Sequence, residues 1–317
     1  MKETNYKEVF ETIVSKTYEY IKDNKRKTMV LGISGGIDST VTAAICYEIH
    51  KAHPEIRFIG LSLPCSTNMQ DERASANDTM AAFCSYTDSL TVHMQKMFSF
   101  LRDEFEHDYN WLKLEENLVA LGNIKARLRM MYLYNIAGLS DGLVMDTDNL
   151  TEHYLGFWTI HGDVGDFNPI GGLWKHEVYG LAKWLANEWY REPGDAQKVI
   201  ALRKACTLNP TDGNGVAVGG DLAQIAPGLT YDQVDDVLMW FLDPKTNFKY
   251  YWENFPPEKW PAHVFGAFHE MWNKYGDESV NRIIKRHMNS EFKRKRMPIA
   301  IEREEYKDSI TDKFDRQ

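Results

Sequence analysis

Residues 31–40, LGISGGIDST, hold the densest set of groups able to cradle a phosphate. Before the turn, TMVLGI (28–33) is an apolar run too short for a helix and reads as a buried strand. After it, TVTAAICYEIH reads as a helix. Ser34, Gly35 and Gly36 make the turn between them. Paired glycines let a backbone fold tightly and come close to a ligand. The N–H groups of such a turn and of the helix start converge, which suits phosphate oxygens, and Ser34 and Ser39 add hydroxyl donors. Asp38 is the odd member, because a carboxylate repels phosphate unless a cation stands between them. Mg²⁺ takes one or two carboxylates together with phosphate oxygens, so a magnesium shared by Asp38 and a polyphosphate resolves the conflict. A bare Gly-Gly turn with Asp38 as helix cap would be structural only. The full SGGxDS string between a strand and a helix points to phosphate binding. It is neither a Walker A loop nor GxGxxG.

Such a turn needs a rigid sheet behind it. Apolar positions Tyr6, Val9, Phe10, Ile13, Val14, Tyr18 and Ile21 have helical spacing over 4–23. Strands are expected at 28–33, 56–63, 88–94 and 142–147, and helices at 70–84 and 113–138, the last broken near Gly122. Strands alternating with helices imply βαβ units and right-handed crossovers. The expected fold class is α/β, a doubly wound parallel sheet of Rossmann-like form with helical C-terminal additions. Ligands of such sheets bind beyond the carboxyl ends of the strands. Both the loop 34–39 and the acidic stretch DTDNLTE (146–152) fall at such ends. Past residue 185 the pattern loosens. Residues 207–230 have loop composition, 243–262 are irregular and aromatic, and 282–298 form a basic helix or tail. The expected organisation is a single domain over 1–317: an N-terminal helix at 1–25, the α/β core at 28–185, and lid loops with C-terminal helices at 186–317.

With 317 residues, 43% hydrophobic and 26% charged, the chain can bury a sizeable core, which excludes disorder over its whole length. A net charge of −9 speaks against a duplex nucleic-acid binder. The four cysteines have no CxxC spacing, so neither a zinc ribbon nor a disulfide framework is indicated. No signal peptide or membrane-length apolar run is read, and a cytoplasmic setting with reduced thiols is expected.

SGGxDS resembles the pyrophosphate loop of the N-type ATP pyrophosphatases, which cleave ATP between the α and β phosphates and adenylate a substrate. LGNIKARLRMM (121–131), DTDNLTE (146–152) and GFWTIHGDVGDFNPIGGLWK (156–175) resemble three blocks of the NAD⁺ synthetases in the same order. PTD (210–212), LTYDQVDDVL (229–238) and SEFKRKRMP (290–298) resemble further blocks, so the likeness runs from about residue 28 to 298. It implies the adenine nucleotide alpha hydrolase-like form of the fold. It also implies ATP-dependent amidation of deamido-NAD (nicotinate adenine dinucleotide) by ammonia, through an acyl-adenylate, with AMP and pyrophosphate released. Amidation of nicotinate mononucleotide and a catalytically silent nucleotide-binding sensor are the alternatives. The implied partners are ATP, deamido-NAD, ammonia and a second copy in a homodimer, with no nucleic acid and no membrane; Mg²⁺ is the implied cofactor. Free ammonia is the expected nitrogen donor, since only one helix precedes residue 28 and no cysteine has a catalytic setting.

Residue by residue, the resemblance implies ATP contacts at Gly32, Ser34, Gly35, Gly36, Asp38, Ser39, Thr147, Lys175 and Thr211. It implies magnesium at Asp38 and Glu152, and deamido-NAD at Arg127, Asp166 and Lys293. Catalytic roles fall to Lys175, which would offset charge on the departing pyrophosphate, and to Asp163, which would bind ammonium or take its proton. The sequence departs from the family at four places. Ser62 replaces an arginine, Met145-Asp146 stands where a glycine precedes Thr-Asp, Ile160 replaces a lysine, and the block from Pro210 keeps Asp221 but loses an acidic pair. The stretches 207–228 and 243–260 are the expected lids.

Overall fold

The computed structural model describes residues 4–108, 116–189, 191, 194–211, 215, 220–294, 299–301 and 303–305. Within them β1 (Thr28–Gly32), β2 (Arg57–Ser62), β3 (Ser89–Thr91), β4 (Gly142–Met145), β5 (Phe167–Asn168) and β6 (Ile299–Ala300) form one sheet in the order β3-β2-β1-β4-β5-β6. Every pairing is parallel; Thr28 lies opposite Arg57 on one side and Gly142 on the other. Strand order reverses between β1 and β4, and the crevice beyond their carboxyl ends is where a doubly wound sheet binds ligands.

Side chains of β1 alternate between two apolar layers, as a strand's period of two requires. Met29 and Leu31 join the layer built from α1 (Tyr6–Asp23), α2 (Ile37–Ala52) and α3 (Gln70–Phe83). Val30 joins Leu61 and Val144 beneath α4 (Gln95–Asp108) and α5 (Leu118–Leu139). After α6 (Leu150–Leu155), the first layer is completed by α7 (Lys175–Trp189) and α8 (Ala196–Thr207). A third apolar cluster, centred on Phe241, Phe268 and Trp260, gathers α9 (Asp221–Ile225), α10 (Tyr231–Leu242), α11 (Phe248–Asn254), α12 (Ala262–Tyr275) and α13 (Asp277–Asn289). The short α14 (Glu291–Arg294) follows.

The expected α/β class and its four strands are present. Three expectations change. The helix ending at Leu139 is unbroken at Gly122, which is buried within α5; packing outweighs the roughly 1 kcal/mol that an interior glycine costs. The aromatic stretch 243–262 is not irregular throughout. It contains α11, and Phe248 and Trp260 are buried against Phe268. Residues 299–300 add the edge strand β6, two residues being too few to show a period. Residues 113–115 of the expected helix, 212–214 and 216–219 of the expected lid, and 295–298 of the basic tail lie outside the described residues. No helix among the described residues is long and apolar enough to cross a membrane.

Candidate active site

The turn after β1 is shaped by its neighbours. Gly35 has φ +88, and a Cβ there would lie 2.4 Å from the Glu72 carbonyl oxygen and 2.6 Å from the Ala76 nitrogen. The backbone of α3 therefore sits directly on the turn, and Ser75 Oγ donates to the Gly35 carbonyl at 2.7 Å. Gly36 caps α2 without a side chain. Its N–H donates to Ser34 Oγ at 3.2 Å, and Ser39 Oγ donates to its carbonyl at 3.1 Å. The loop thus holds its shape through bonds among its own residues and α3. Gly32, Ser34, Gly36, Asp38 and Ser39 all line one cavity at the switch point.

Three elements bring charge to that cavity. Asp38 stands in the first turn of α2, Glu152 in the first turn of α6, and Lys175 at the first residue of α7. The Lys175 Nζ lies 2.5 Å from Asp38 Oδ2 and 3.1 Å from Glu152 Oε1. A capping box fixes Glu152. Its Oε2 accepts from the Asn149 N–H at 3.1 Å, while Asn149 Oδ1 accepts from the Glu152 N–H at 3.0 Å. Asn149 Nδ2 then donates to Asp38 Oδ1 at 2.9 Å, tying the acids of two helices together. Lys175 is 2% exposed. Burial alone would lower its ammonium, but the Asp38 and Glu152 carboxylates reverse this and hold it well above its usual value. Burial pushes the Glu152 carboxyl up to about 7, against the pull of Lys175 and with the repulsion of Asp38. The start of α7 is braced from behind: Glu177 Oε2 accepts from the Trp174 N–H at 2.9 Å, and Arg303 grips the same carboxylate at 2.6 and 2.9 Å.

More acid lies alongside. Asp146 is buried and accepts from the N–H groups of Asp148 and Gly165 at 2.8 and 2.7 Å; burial still pushes its carboxyl up to about 6. Burial, then the charges of Asp146 and Glu152, push the Asp148 carboxyl well up. Asp148 Oδ2 is a buried oxygen with no hydrogen-bond partner. Among the described residues no group of three or more acids, histidines or cysteines is arranged to hold a metal by itself. The two carboxylates converge on the Lys175 ammonium, and their hard oxygen donors are of the kind that suits a divalent cation whose remaining ligands come from a bound polyphosphate. The orphaned Asp148 oxygen beside them agrees with that fit.

Of the other expected residues, Thr147, Asp163 and Thr211 line the same cavity. Asp163 Oδ2 accepts from the Thr159 N–H at 3.1 Å, and Thr211 Oγ1 donates to Glu72 Oε1. Ser62 lines it too, with Arg73 and Arg129 supplying guanidinium groups. Arg127 lines a second cavity, with Tyr134, Trp158, Ile160 and His161, and donates to the Ile160 carbonyl at 3.3–3.4 Å. Met130 borders both cavities. Asp166 is turned to the sheet, its Oδ2 accepting from the Val144 N–H at 2.9 Å. The Lys293 ammonium donates to the Gly156 and Trp158 carbonyls at 2.8 and 2.5 Å rather than facing either cavity. Sequence reasoning passed over Asp148 and Asn149, although the crowding of DTDN was a visible signal.

The family model described as NAD synthase matches residues 9–250. The NH(3)-dependent NAD(+) synthetase of Campylobacter jejuni subsp. doylei is 34% identical over 244 residues, 76% of this chain and 89% of that protein. Two solved structures share the fold. The NMN synthetase from Francisella tularensis has a TM-score of 0.66 at 23% identity, covering 91% of this chain and 95% of that one. The NH3-dependent NAD synthetase from Campylobacter jejuni subsp. jejuni, in complex with the nitrate ion, has a TM-score of 0.57 at 24% identity, covering 94% and 99%. A turn shaped by α3 at the switch point, two converging acids with one lysine, and a family match over most of the length lead to one assignment: the chain belongs to the NAD synthase family.

Proposed function

We propose that the protein amidates deamido-NAD with ammonia at the expense of ATP, releasing AMP and pyrophosphate. The observation that carries this reading is the meeting of Asp38, Glu152 and Lys175 over the loop 34–39. In it, N–H groups at the start of α2 take phosphate oxygens. The nicotinate carboxylate attacks the α phosphorus, and Lys175 offsets the charge gathering on the pyrophosphate. Arg127 holds the nucleotide substrate in the adjoining cavity. Asp163 receives the proton that ammonia loses when it attacks the acyl carbon. Magnesium, when bound, would be held by Asp38 and Glu152 and would neutralise polyphosphate charge. Closure against water matters, because an acyl-adenylate hydrolyses readily; Leu208, Asn209, Pro210 and Thr211 line the cavity.

We assign the exposed face of α5 to a second copy of the chain. Met131, Tyr134 and Leu139 are 49%, 41% and 85% exposed, and the first two also line the cavity of Arg127.

Incubation with ATP, magnesium and ammonium, with either deamido-NAD or nicotinate mononucleotide, tests the reading by mass. NAD⁺ should form in step with AMP and pyrophosphate. Turnover of the mononucleotide alone would transfer the reaction to the smaller substrate. ATP binding without AMP in either mixture would leave a sensor.

A further inference from the structure

Lys175 is held in place from the C-terminal helices. Two residues one turn apart on α10 reach the start of α7. The Tyr231 ring centroid lies 5.3 Å from Lys175 Nζ, within the range of a cation–π contact. Asp235 is fully buried. Its Oδ1 accepts from Thr151 Oγ1 at 2.5 Å, and its Oδ2 accepts from the His176 N–H at 3.0 Å and from His176 Nδ1 at 2.8 Å. Thr151 in turn accepts from the Lys175 N–H at 2.8 Å. All three bonds to Asp235 therefore come from the immediate sequence neighbours of Glu152 and Lys175. Burying a carboxylate is costly, and apolar side chains would glue these helices together more cheaply. The direction of its bonds indicates another use.

We propose that Asp235 is a positioning residue. Through Thr151 and His176 it locks the first turns of α6 and α7 to each other, and so sets where the Lys175 ammonium stands relative to Glu152. Tyr231, on the same face of α10, keeps that ammonium from swinging away. What Lys175 does once positioned rests on the adenylating reaction proposed above; the lock itself does not. A shift of about 1 Å at a reacting group can cost about a hundredfold in rate, so a lock of this kind should show in turnover before it shows in binding.

The test uses Thr151→Val, which removes the relay hydroxyl, and Thr151→Ser, which keeps it. Asp235→Asn is a third variant, and Phe268→Leu serves as a control that loosens the same helical layer away from the cavity. Three quantities are read: kcat and KM for ATP in AMP formation, the melting temperature, and hydrogen exchange of the Lys175 amide. Thr151→Val and Asp235→Asn should lose about a hundredfold in kcat with KM for ATP unchanged. Thr151→Ser should restore kcat. Phe268→Leu should lower the melting temperature and leave kcat alone. The Lys175 amide should exchange slowly in the wild type and in Thr151→Ser, and fast in Thr151→Val. Wild-type kcat in Thr151→Val despite a fast-exchanging amide overturns the proposal. So does an equal fall of kcat in Phe268→Leu at the same loss of melting temperature. A wild type that forms no AMP with any substrate defeats the reaction instead, and the lock is then judged by the amide exchange.

Discussion

Asp38 accepts from Lys175 and from Asn149 through separate oxygens, so a change there disturbs both charge and geometry. Asp38→Asn keeps the size of the side chain but removes its charge and one of its two acceptors. It should lower AMP and pyrophosphate formation by at least about 10²-fold, the scale of losing one preorganised electrostatic group, and it should lower the melting temperature as well, because the buried Lys175 ammonium loses a carboxylate partner. Pyrophosphate release at saturating ATP and magnesium is the measurement; wild-type release would remove Asp38 from the metal site. This residue was legible in the sequence because a glycine-paired turn, a hydroxyl and an acid lie within six positions. Asp235 was not. What singles it out is burial and the identity of a distant partner, Thr151, met across 84 positions, and no local spacing encodes that.

Among the elements, the β1 turn and α3 interlock most tightly. Gly35→Ala would put a methyl into the α3 backbone at a φ that disfavours any side chain. The conformational part alone is worth about 1–3 kcal/mol, and the steric part can be relieved only by moving α3 off the turn. Thermal unfolding should show the loss of stability, and calorimetry a loss of ATP binding; an unchanged affinity would mean that the turn is not the phosphate seat. The long elements were readable because apolar periodicity over 10–20 residues outweighs any single breaker, which is how α5 runs through Gly122. The two-residue strands β5 and β6 were unreadable for the converse reason. The aromatic run 243–262 misled because its Pro and Asn content looks like a loop, whereas its rings fill a core that forms only when α10 and α12 are beside them.

At the scale of the molecule, the C-terminal helices hold a titratable seam. His287 is 1% exposed and its Nδ1 donates to the Tyr154 carbonyl at 2.9 Å, while Nε2 has no partner. Burial, then the Arg294 charge, lower it to about 4. The unfolded chain takes up its proton near pH 6.5, before the folded one does. The contribution of this group should therefore be constant above about pH 7 and fall as pH drops from about 6.5 towards 4, by up to about 2 kcal/mol at pH 5, while the raised carboxyls of Glu152 and Asp146 act in the opposite direction over the same range. Urea titrations of wild type and His287→Gln at pH 7 and 5 isolate it: the variant should lose less stability on acidification than the wild type, and an equal change in both would place the effect elsewhere. The proposed pairing of two copies predicts that Met131→Lys, at an exposed position of α5, yields a monomer by light scattering and weakens the nucleotide substrate more than ATP. A dimer of unchanged stability would move the interface.

The sixth strand follows every helix named above in chain order, yet it sits against β5, and Arg303 just beyond it grips the carboxylate that caps α7. A chain emerging from the ribosome therefore carries the turn after β1, both acids and the lysine long before Arg303 can reach Glu177 behind that lysine. A nascent or clipped chain ending near residue 295 would hold all of these side chains and still lack that guanidinium clasp.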